Sequence, residues 1–522
     1  MNHPPIVWSV AGSDSGAGAG LQADLRAFEA MDVHGCSVVA AITAQNSMGV
    51  QLISPVAPSV LDAQLAALAE DMPPAVIKVG MIGSVENLRV LVHWIDRLRV
   101  HNPQLAVVVD PVLGATTGAS FAPADLIQAY RDELLPRADV ITPNRAEAAL
   151  LLQQTPLIDA LAIEHAAQSL VAFGCKTVTI TGGDAQGLNS EDYAISPHTQ
   201  GWLRLPRVAT EHNHGTGCVF AASVAAAMAR GFVSMEALVL AKMATTHALR
   251  HAYAAGQGAG PVRPRLDFAQ HIENLPGFSL PSASRPPRLA RFAPLSDPQL
   301  GLYAVVDSAD WVQRVLAAGV RTVQLRIKKA LAPGDGPLPL DAALRDEVRA
   351  SIKYARAVNA QLFINDHWQL AIEEGAYGVH LGQEDLHIAD LDAIAQAGLR
   401  LGISTHCYWE VCRAWQLQPS YIACGPIHPT RAKDMPWIAQ THRNLAYWSA
   451  LLPLPVVAIG GMTVARAQQA MQCGASGVAL ISGICSADAP ELAIAALRQA
   501  VLVDPRQERV TMPVLPQATL SA

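Results

Sequence analysis

The chain contains 522 residues, more than a single hydrophobic core usually organises, so we expect at least two domains. Its composition, 51% hydrophobic and 16% charged, is that of an ordinary globular protein, and its net charge of −7 argues against a nucleic-acid or anionic-membrane partner. No apolar stretch reaches membrane-spanning length, and residues 1–10 lack the basic residues of a secretory signal. The eight cysteines form no C-x-x-C pair, which argues against a zinc knuckle and favours a reducing, cytoplasmic location.

Apolar runs alternate with helical patterns through the first half of the chain. The runs predict strands at residues 6–11, 37–42, 76–79, 105–109, 140–142 and 177–181. Helical spacing between them predicts helices at residues 21–31, 61–70 and 85–98. Because the runs are mostly apolar throughout, we expect both faces of the sheet to be covered. This pattern indicates an α/β fold with a mostly parallel sheet and helices on both faces.

A second series of strands follows a stretch rich in proline and serine at residues 281–287. Its eight candidates lie at residues 302–306, 322–326, 362–365, 378–381, 399–404, 421–425, 456–460 and 477–481. Eight strands separated by helical segments predict a compact (β/α)₈ TIM barrel. We therefore expect a first domain at 1–280, a linker at 281–299, the barrel at 300–504 and a loose tail at 505–522.

Two glycine-containing segments of the first half have the pattern of anion-binding loops. Residues 11–20, A-G-S-D-S-G-A-G-A-G, precede a predicted helix, but they fit a flexible turn equally well. Residues 213–218, N-H-G-T-G-C, precede an alanine-rich helix, so their N–H groups predict an anion hole for a phosphoryl group. Cys218 lies in the first turn of that helix, where a thiolate is favoured and could act as a base. Alternatively, Cys218 is a small buried side chain behind a glycine turn.

Residues 363–386 read as strand, helix and strand, with an acidic residue after each strand. In a parallel sheet Asp366 and Asp385 converge at one end, where their oxygens suit Mg²⁺ bound to a polyphosphate. The alternative is that both are ordinary helix caps. Arg326 and Lys328 leave the second barrel strand on one side of the backbone, and they favour the phosphate interpretation.

Polar residues or glycines follow nearly every other barrel strand, which is where barrel enzymes place their active sites. The segments concerned are residues 404–406, 425–433, 460–461 and 482–483. The last two lie after the seventh and eighth strands, the usual phosphate position of this fold. We expect structural or supporting roles for His380, His406 and His428.

Six motifs run through the first half in a fixed order: A-G-S-D-S-G-A-G-A-G-L-Q-A-D-L, T-A-Q-N-S-M-G-V, K-V-G-M-I-G, V-V-V-D-P-V, I-T-P-N-R-A-E and H-G-T-G-C. In this order they resemble the hydroxymethylpyrimidine/phosphomethylpyrimidine kinases of thiamine synthesis, which belong to the ribokinase-like superfamily. The resemblance covers nearly all of residues 5–265, and it implies a kinase that uses ATP and Mg²⁺.

The kinase resemblance also implies roles for single residues. Those implied for the pyrimidine substrate are Gln45, Met81 and Asp24, and those implied for Mg²⁺ and ATP are Asp110, Asn144, Glu147, Thr181 and Gly183. Gly215, Thr216 and Gly217 would hold the phosphoryl group, and Cys218 would replace the aspartate base common among sugar kinases. One departure is the sequence T-G-G-D at residues 181–184, where the family usually has K-G-G-H, so a lysine that neutralises nucleotide phosphate is missing.

The barrel half carries a second ordered set of motifs: Y-A-V-V-D, Q-L-R-I-K, F-I-N-D, G-V-H-L-G-Q-E-D, G-I-S-T-H, P-T-x-x-K, A-I-G-G and I-S-G-I. They resemble thiamine phosphate synthase over residues 301–486, and the resemblance implies Mg²⁺ on Asp366 and Asp385. The residues implied for the pyrimidine diphosphate are Gln324, Arg326, Lys328, Asn365, Ser404 and Lys433, and those for thiazole phosphate are Thr430, Gly461, Ile481 and Ser482. Arg326 and Lys433 would also stabilise the departing diphosphate. Ala432 departs from the family, which commonly has a second threonine there.

The two resemblances together imply a cytoplasmic enzyme of thiamine biosynthesis with two domains. The first would form hydroxymethylpyrimidine diphosphate from ATP, and the second would couple it to thiazole phosphate. We expect small-molecule substrates, a homo-oligomer, and no nucleic-acid or membrane partner. In one alternative the first half phosphorylates only the monophosphate or another small alcohol. In the other it is a non-catalytic pyrimidine sensor that regulates a working synthase.

Overall fold

The computed structural model describes residues 3–114, 122–183, 187–281, 291–328, 342–430, 436–502 and 510–521. The chain divides into two compact units, one within residues 1–284 and the other within residues 285–520. Each unit has its own sheet.

The sheet of the first unit contains ten described strands, parallel at its centre and antiparallel at both edges. They are β1 Ile6–Asp14, β2 His34–Asn46, β3 Gly49–Pro55, β4 Val76–Val79, β5 Ala106–Val109, β6 Val140–Ile141, β7 Thr177–Ile180, β8 Asn189–Ile195, β9 Gln200–Pro206 and β10 Gly277–Ser279. Their order is β10-β9-β8-β7-β6-β5-β4-β1-β2-β3. Every residue of β4, β6 and β7 is buried, which requires cover on both faces of the sheet.

Helices cover this sheet and supply the turns that carry function. They are α1 Gly20–Ala30, α2 Pro58–Asp71, α3 Val85–His101, α4 Ala124–Ala129, α5 Arg145–Leu152, α6 Ala160–Val171, α7 Thr216–Ala229 and α8 Ser234–Arg250. Helix α7 is buried continuously over residues 219–227. Its alanine and serine side chains are small enough for neighbouring elements to approach from all sides, so α7 lies in the interior and packs against α1, α8 and β4.

Eight parallel strands of the second unit close into a barrel. They are β11 Gly301–Val306, β12 Thr322–Leu325, β13 Gln361–Asn365, β14 Gly378–Leu381, β15 Arg400–Thr405, β16 Tyr421–Cys424, β17 Val456–Ile459 and β18 Gly477–Leu480. The pairing of β18 with β11 closes the sheet on itself. The predicted fold class, a mostly parallel α/β sheet followed by a (β/α)₈ barrel, is confirmed.

The helices of the barrel unit surround the strands, and several begin at a side-chain cap. They are α9 Ala309–Ala317, α10 Ala342–Ala357, α11 Trp368–Glu373, α12 Leu391–Gln396, α13 Tyr408–Leu417, α14 Thr441–Leu451, α15 Val464–Gln472, α16 Ser482–Cys485 and α17 Pro490–Ala500. Ser308, Asp390 and Thr463 cap α9, α12 and α15 by accepting a backbone N–H bond. Large side chains of Tyr303, Phe363 and Tyr421 fill the interior of the barrel.

Residues 510–520, which we call the C-terminal segment, pack against the barrel unit. Thr519 is fully buried, Leu515 and Leu520 are also buried, and Leu520 forms a β-bridge with Trp437. The expectation of a loose tail is therefore wrong for these residues. The reason is that the segment has apolar side chains to bury and backbone groups that find partners on the barrel.

Candidate active sites

The loop that follows β1 is organised by the carboxylate of Asp14. The backbone N–H groups of Gly16, Gly18 and Ala19 donate to this carboxylate at 2.8–2.9 Å. Burial alone would raise the pKa of Asp14, but hydrogen bonds from His214, Ala19 and Gly16 outweigh it and hold the pKa below its ordinary value. These loop donors are already occupied by a carboxylate, which does not fit the interpretation of the loop as a substrate-anion site.

Gln45 and Met81 meet at the same end of β1. The backbone N–H of Gln45 donates to the Ser15 hydroxyl at 2.9 Å, and its side-chain amide lies 3.1 Å from Nε2 of His214. The terminal methyl of Met81 lies over Gly12, where an added Cβ would come within 2.5 Å of it. The structure therefore places each of the two predicted pyrimidine residues at the carboxyl end of this strand.

A buried lysine, Lys78 of β4, connects two acidic side chains with Cys218. Its Nζ lies 3.0 Å from both carboxylate oxygens of Asp24 and 3.7 Å from Asp110. Burial raises the pKa of Asp24 and raises the pKa of Asp110 to about 6, because the attraction of Lys78 offsets burial only in part. Burial lowers the pKa of Lys78, but the carboxylates of Asp24 and Asp110 outweigh it and raise the pKa, so Lys78 stays charged.

The predicted anion hole is the N-terminus of α7. Gly215 caps the helix with φ +81°, and an added Cβ would lie 2.0 Å from the carbonyl oxygen of Gly18. This position therefore requires glycine. Thr216, Gly217 and Cys218 form the first turn, where backbone N–H groups have no acceptor within the helix. Such groups are suited to bind a phosphoryl oxygen.

The Cys218 side chain is a thiol, not a thiolate, in this state. Burial raises its pKa to about 12; Lys78 lowers it, and the carboxylates of Asp110 and Asp24 raise it. The helix N-terminus favours the thiolate, as we expected from the sequence. Burial and the carboxylates of Asp110 and Asp24 outweigh this effect and raise the pKa of the thiol.

Asn144 and Glu147 form a reciprocal cap at the start of α5. The Glu147 N–H donates to Oδ1 of Asn144, and the Asn144 N–H donates to Oε2 of Glu147, both at 2.9 Å. The N-x-x-E pattern thus has a structural function as a capping box. Burial raises the pKa of Tyr130, and Asp110 and Glu147 add to the rise, so these two carboxylates share a neighbourhood.

Thr181 lies beside Asn144, because the two residues form a parallel β-bridge. The following loop is held by side chains: Gly182 N–H donates to Asp192 at 3.0 Å, and Arg207 donates to the Gly183 carbonyl at 2.8 Å. Asp184, the charged residue that departs from the kinase pattern, lies outside the described residues.

Three further side chains in the described part of the first unit are close enough together to be considered as metal ligands. They are His247, Asp267 and His271, whose possible ligand atoms lie within 4.8 Å of one another. Asn274 Nδ2 donates to Phe268 O and also contacts His247 Nδ1, both at 3.0 Å, so that ring nitrogen accepts. The proton of His247 is then on Nε2 and faces Asp267 at 3.2 Å. This tautomer forms a hydrogen-bonded network and does not present Nε2 as a metal ligand.

In the barrel, Asp366 follows β13 and Asp385 follows the adjacent parallel strand β14. Burial raises the pKa of Asp366 to about 6; repulsion by Asp385 and a hydrogen bond between the two groups add to it, while Lys328 and Arg326 lower it. The two carboxyl groups are therefore close enough to interact, and Arg326 and Lys328 lie within electrostatic reach of Asp366.

A chain of hydrogen bonds crosses the barrel from Gln324 to Ser404. Gln324 Nε2 donates to the Tyr303 hydroxyl at 3.3 Å, the hydroxyls of Tyr303 and Tyr421 are 2.7 Å apart, and Tyr421 lies 2.7 Å from His380 Nδ1. His380 Nε2 lies 2.8 Å from Ser404 Oγ. Hydroxyl groups can both donate and accept, and neutral His380 donates through one ring nitrogen and accepts through the other, so the bonds can run in either direction along this chain. The chain holds the His380 ring and the Ser404 hydroxyl in place.

His380 is neutral at physiological pH, and Asn365 has a free donor. Burial lowers the pKa of His380 to about 3, and the charges of Arg326 and His406 add to this effect. Asn365 is buried, and its Nδ2 has no hydrogen-bond partner in the described structure. A buried amide donor without a partner is costly, so it fits a position that a substrate oxygen completes.

The loops after β16 and β17 lie against each other. Gly460 and Gly461 have φ of +98° and +64°, and an added Cβ on Gly461 would lie 2.7 Å from His428 Cβ and from Pro429 O. Thr430 is the next residue after Pro429, so it belongs to the same loop. Ile481 and Ser482 follow β18 at the start of α16. Lys433 and Ala432 lie outside the described residues.

Comparison with known proteins identifies both halves. The family model for phosphomethylpyrimidine kinase matches residues 14–263, and that for thiamine monophosphate synthase matches residues 299–484. A probable thiamine biosynthetic bifunctional enzyme of Oryza sativa subsp. japonica, described as chloroplastic, is 34% identical over 496 residues, which cover 92% of this chain and 86% of the rice protein. The chain belongs to the family of bifunctional thiamine biosynthetic enzymes.

Other relatives match one half each. The thiamine-phosphate synthase of Serratia proteamaculans is 47% identical over 212 residues, 40% of this chain and 94% of that protein. Among solved structures, the pyridoxal kinase of Staphylococcus aureus with AMP-PCP covers 50% of this chain and 94% of its own, with 30% identity and a TM-score of 0.46. The phosphomethylpyrimidine kinase of Clostridium difficile covers 47% and 99%, with 29% identity and a TM-score of 0.41.

Members of the bifunctional family combine a pyrimidine kinase with a thiamine-phosphate synthase, and this chain has both activities. The predicted family, function and enzyme class are confirmed. No helix among the described residues is long and apolar enough to cross a membrane.

Sequence reasoning about this bifunctional enzyme missed Lys78, Asp14 and His214 as functional candidates, although all three lie within or beside the quoted motifs. A lysine in an otherwise apolar strand was the available signal for Lys78. The prediction that Asp24 contacts substrate does not fit its position, because it is fully buried and both oxygens are bonded to Lys78, with Ser9 donating to one of them.

Proposed function

We propose that the two halves make thiamine phosphate in sequence. The first transfers phosphoryl groups from ATP to hydroxymethylpyrimidine and then to its monophosphate. The second joins the diphosphate to thiazole phosphate and releases pyrophosphate. The observation that carries this proposal is the meeting of two carboxylates, Asp366 and Asp385, with Arg326 and Lys328 at the end of the barrel strands.

In the kinase half, Gln45 and Met81 orient the pyrimidine ring. The N–H groups of Gly215, Thr216 and Gly217 stabilise the phosphoryl group during transfer. Cys218 can accept the substrate hydroxyl proton only as a thiolate, and Lys78 is the cation that favours this form. Lys78 therefore acts on the reaction through Cys218.

ATP binding in the proposed mechanism involves Thr181 and Gly183, with Asn144 and Glu147 at the neighbouring strand end. Arg145 supplies positive charge there in place of the missing family lysine. Its Nε is buried without a hydrogen-bond partner, and its Nη2 lies 3.3 Å from the position of an added Cβ on Gly182. Asp110 and Glu147 are the carboxylates available to Mg²⁺ in this half.

In the synthase half, Gln324, Arg326, Lys328 and Asn365 hold the pyrimidine diphosphate, together with the hydroxyl group of Ser404. Because His380 is neutral, it orients Ser404 and does not act as a general acid. Departure of pyrophosphate leaves a pyrimidine-methyl cation that the ring amino group stabilises, and the thiazole nitrogen then attacks.

The remaining barrel residues of the proposal serve the phosphates of both substrates. Thr430, Gly461, Ile481 and Ser482 hold thiazole phosphate. Lys433 assists Arg326 with the departing pyrophosphate.

The acidic pair fits Mg²⁺. Two carboxyl groups in contact repel each other when both are ionised, and a divalent cation between their oxygens removes that repulsion. Mg²⁺ bound there would neutralise charge on the diphosphate as it leaves. Asp366 and Asp385 would hold the ion, and Asn365 would donate to a diphosphate oxygen beside it.

The metal proposal predicts a specific pH dependence. Asp366 carries a raised pKa of about 6, so below that pH its proton must be displaced, and Mg²⁺ affinity should fall as pH decreases through about 6. Calorimetric titration with MgCl₂ on both sides of pH 6 measures this. Asp366→Asn and Asp385→Asn should abolish binding, whereas Asp488→Asn, an exposed carboxylate elsewhere in this unit, should not. Unchanged Mg²⁺ affinity in both variants would refute the site.

The overall function is tested by incubating the whole chain with hydroxymethylpyrimidine, thiazole phosphate, Mg²⁺ and ATP, and measuring thiamine phosphate. ATP consumption should be measured separately with hydroxymethylpyrimidine and with its monophosphate. The two rates distinguish a kinase that phosphorylates both substrates from one that phosphorylates only the monophosphate. A Cys218→Ala variant with undiminished flux from hydroxymethylpyrimidine would instead favour a sensor. We further propose a homo-oligomer in the cytoplasm, which native mass measurement and cell fractionation test.

A further inference from the structure

We propose that the C-terminal segment, residues 510–520, is a positioning part of the thiazole phosphate site. The proposal rests on the proposed roles of Thr430 and Gly461 in that site. The segment lies beyond residue 484, where the match to the synthase family model ends, so nothing in that match assigns it a role. Three sets of contacts connect it to the site.

The first set joins the segment to residues 437–444. The Ile438 N–H donates to the Thr519 carbonyl at 2.9 Å. Asn444 is fully buried and bonds the backbone of Gln517 twice, since its Nδ2 donates to the carbonyl at 2.9 Å and its Oδ1 accepts the N–H at 2.7 Å. The Tyr408 hydroxyl donates to the same carbonyl at 2.7 Å. These are buried or partly buried bonds, so losing the segment leaves polar groups without partners.

The second set joins residues 437–444 to the ends of two barrel strands. The buried side chain of Gln440 donates to the carbonyls of His406 and Gly425, at 3.2 and 3.0 Å, and so fastens the end of β15 to the end of β16. Its backbone N–H donates to Pro426 at 2.8 Å. Trp437, which is bridged to the C-terminal segment, stacks on His406 with ring centroids 4.2 Å apart.

The third set joins the loop after β16 to Gly460 and Gly461. Ile427 N–H donates to Ile459 at 2.9 Å, and His428 N–H donates to Gly460 at 3.2 Å. The backbone at Gly461 approaches His428 so closely that a Cβ would clash. The three sets are continuous, and they end on the residues proposed to hold thiazole phosphate. The carboxylate pair that serves the diphosphate lies after other strands, β13 and β14.

The test replaces residues 510–520 of the full chain with a glycine–serine sequence of equal length. We expect the KM for thiazole phosphate to rise about tenfold or more, the effect of losing one or two buried hydrogen bonds. The KM for the pyrimidine diphosphate should rise less, because Ser404 at the end of β15 is only one of several residues proposed to hold it, and the kinase turnover of the same chain should stay within about twofold of wild type. An unchanged KM for thiazole phosphate would overturn the proposal, as would an equal rise in both KM values or unfolding of the barrel.

Asn444→Ala is the second variant, because it removes only the two bonds to Gln517. It should reproduce the selective rise in KM, and Gln499→Ala, an exposed amide on α17, is the matched control that should not. Asn444→Ala with wild-type KM values counts against the proposal. Failure of the proposed function would look different, because the wild-type chain would then also make no thiamine phosphate from the pyrimidine diphosphate and thiazole phosphate.

Discussion

At the scale of single residues, the protonation state of Cys218 decides whether this side chain can act as the base of the kinase half. With a pKa raised to about 12 by burial, its thiol should react with iodoacetamide roughly a thousandfold more slowly than an ordinary exposed thiol at neutral pH. Mass spectrometry of the peptide containing Cys218 measures this rate. The denatured chain, in which the same thiol has an ordinary pKa, is the control. Rapid labelling of the folded enzyme would contradict the assignment.

The hydrogen-bond chain in the barrel makes a second prediction at this scale. Tyr421→Phe removes the hydroxyl that bonds both Tyr303 and His380 Nδ1, so His380 and the Ser404 hydroxyl next to it lose their support from the barrel interior. We expect the KM for the pyrimidine diphosphate to rise about tenfold while the fold is retained. Tyr377→Phe is the matched control, since its hydroxyl bonds Gln361 at the start of β13. Equal KM values in the two variants would refute the relay.

Individual contacts of this kind were only partly accessible from sequence. The convergence of Asp366 and Asp385 followed from their positions after neighbouring strands. The link between Gln324 and Ser404 did not, because it passes through Tyr303 and Tyr421, whose apolar rings predict only core packing. Similarly, we interpreted the N-x-x-E pattern of Asn144 and Glu147 only as a Mg²⁺ site, although the two residues also form the capping box of α5.

At the scale of elements, the sequence predicted the parallel strands well and the antiparallel strands poorly. All eight barrel strands lie within one residue of the predicted limits at each end, because each is a short apolar run. The antiparallel strands β3, β8, β9 and β10 were not predicted. β3 is almost wholly exposed, and β8 begins with N-S-E-D, so neither has the apolar run that signals a buried strand.

Gly215, which caps α7, allows a prediction at the scale of elements. Gly215→Ala forces a side chain into a left-handed conformation and against Gly18, and it should destabilise the kinase half by about 1–3 kcal/mol. Gly217→Ala is the control for stability, because an added Cβ there meets nothing within 4 Å. Denaturant unfolding measures both variants. A Gly215→Ala chain as stable as wild type would show that the loop before α7 adjusts freely.

At the scale of the whole molecule, the chain has two units with separate sheets, so we expect two unfolding transitions. Lys78→Met should lower only the transition of the kinase half, by about 3–5 kcal/mol, because it leaves Asp24 buried without its partner. Lys176→Met is the control: its pair with Asp139 is exposed on the lysine side, and its loss should cost about 0–1 kcal/mol. A shift of both transitions by Lys78→Met would show that the units unfold together.

The packing of residues 510–520 against the barrel has a consequence for how the enzyme is made. These residues are translated after all eight barrel strands, so under the positioning role proposed for them a nascent chain completes its synthase site only once residue 520 has been added. The pyrimidine-phosphorylating half is already encoded hundreds of codons earlier. A chain that terminates shortly before residue 510 would therefore keep phosphorylating pyrimidine while it condenses the product poorly with thiazole phosphate, and the diphosphate would accumulate.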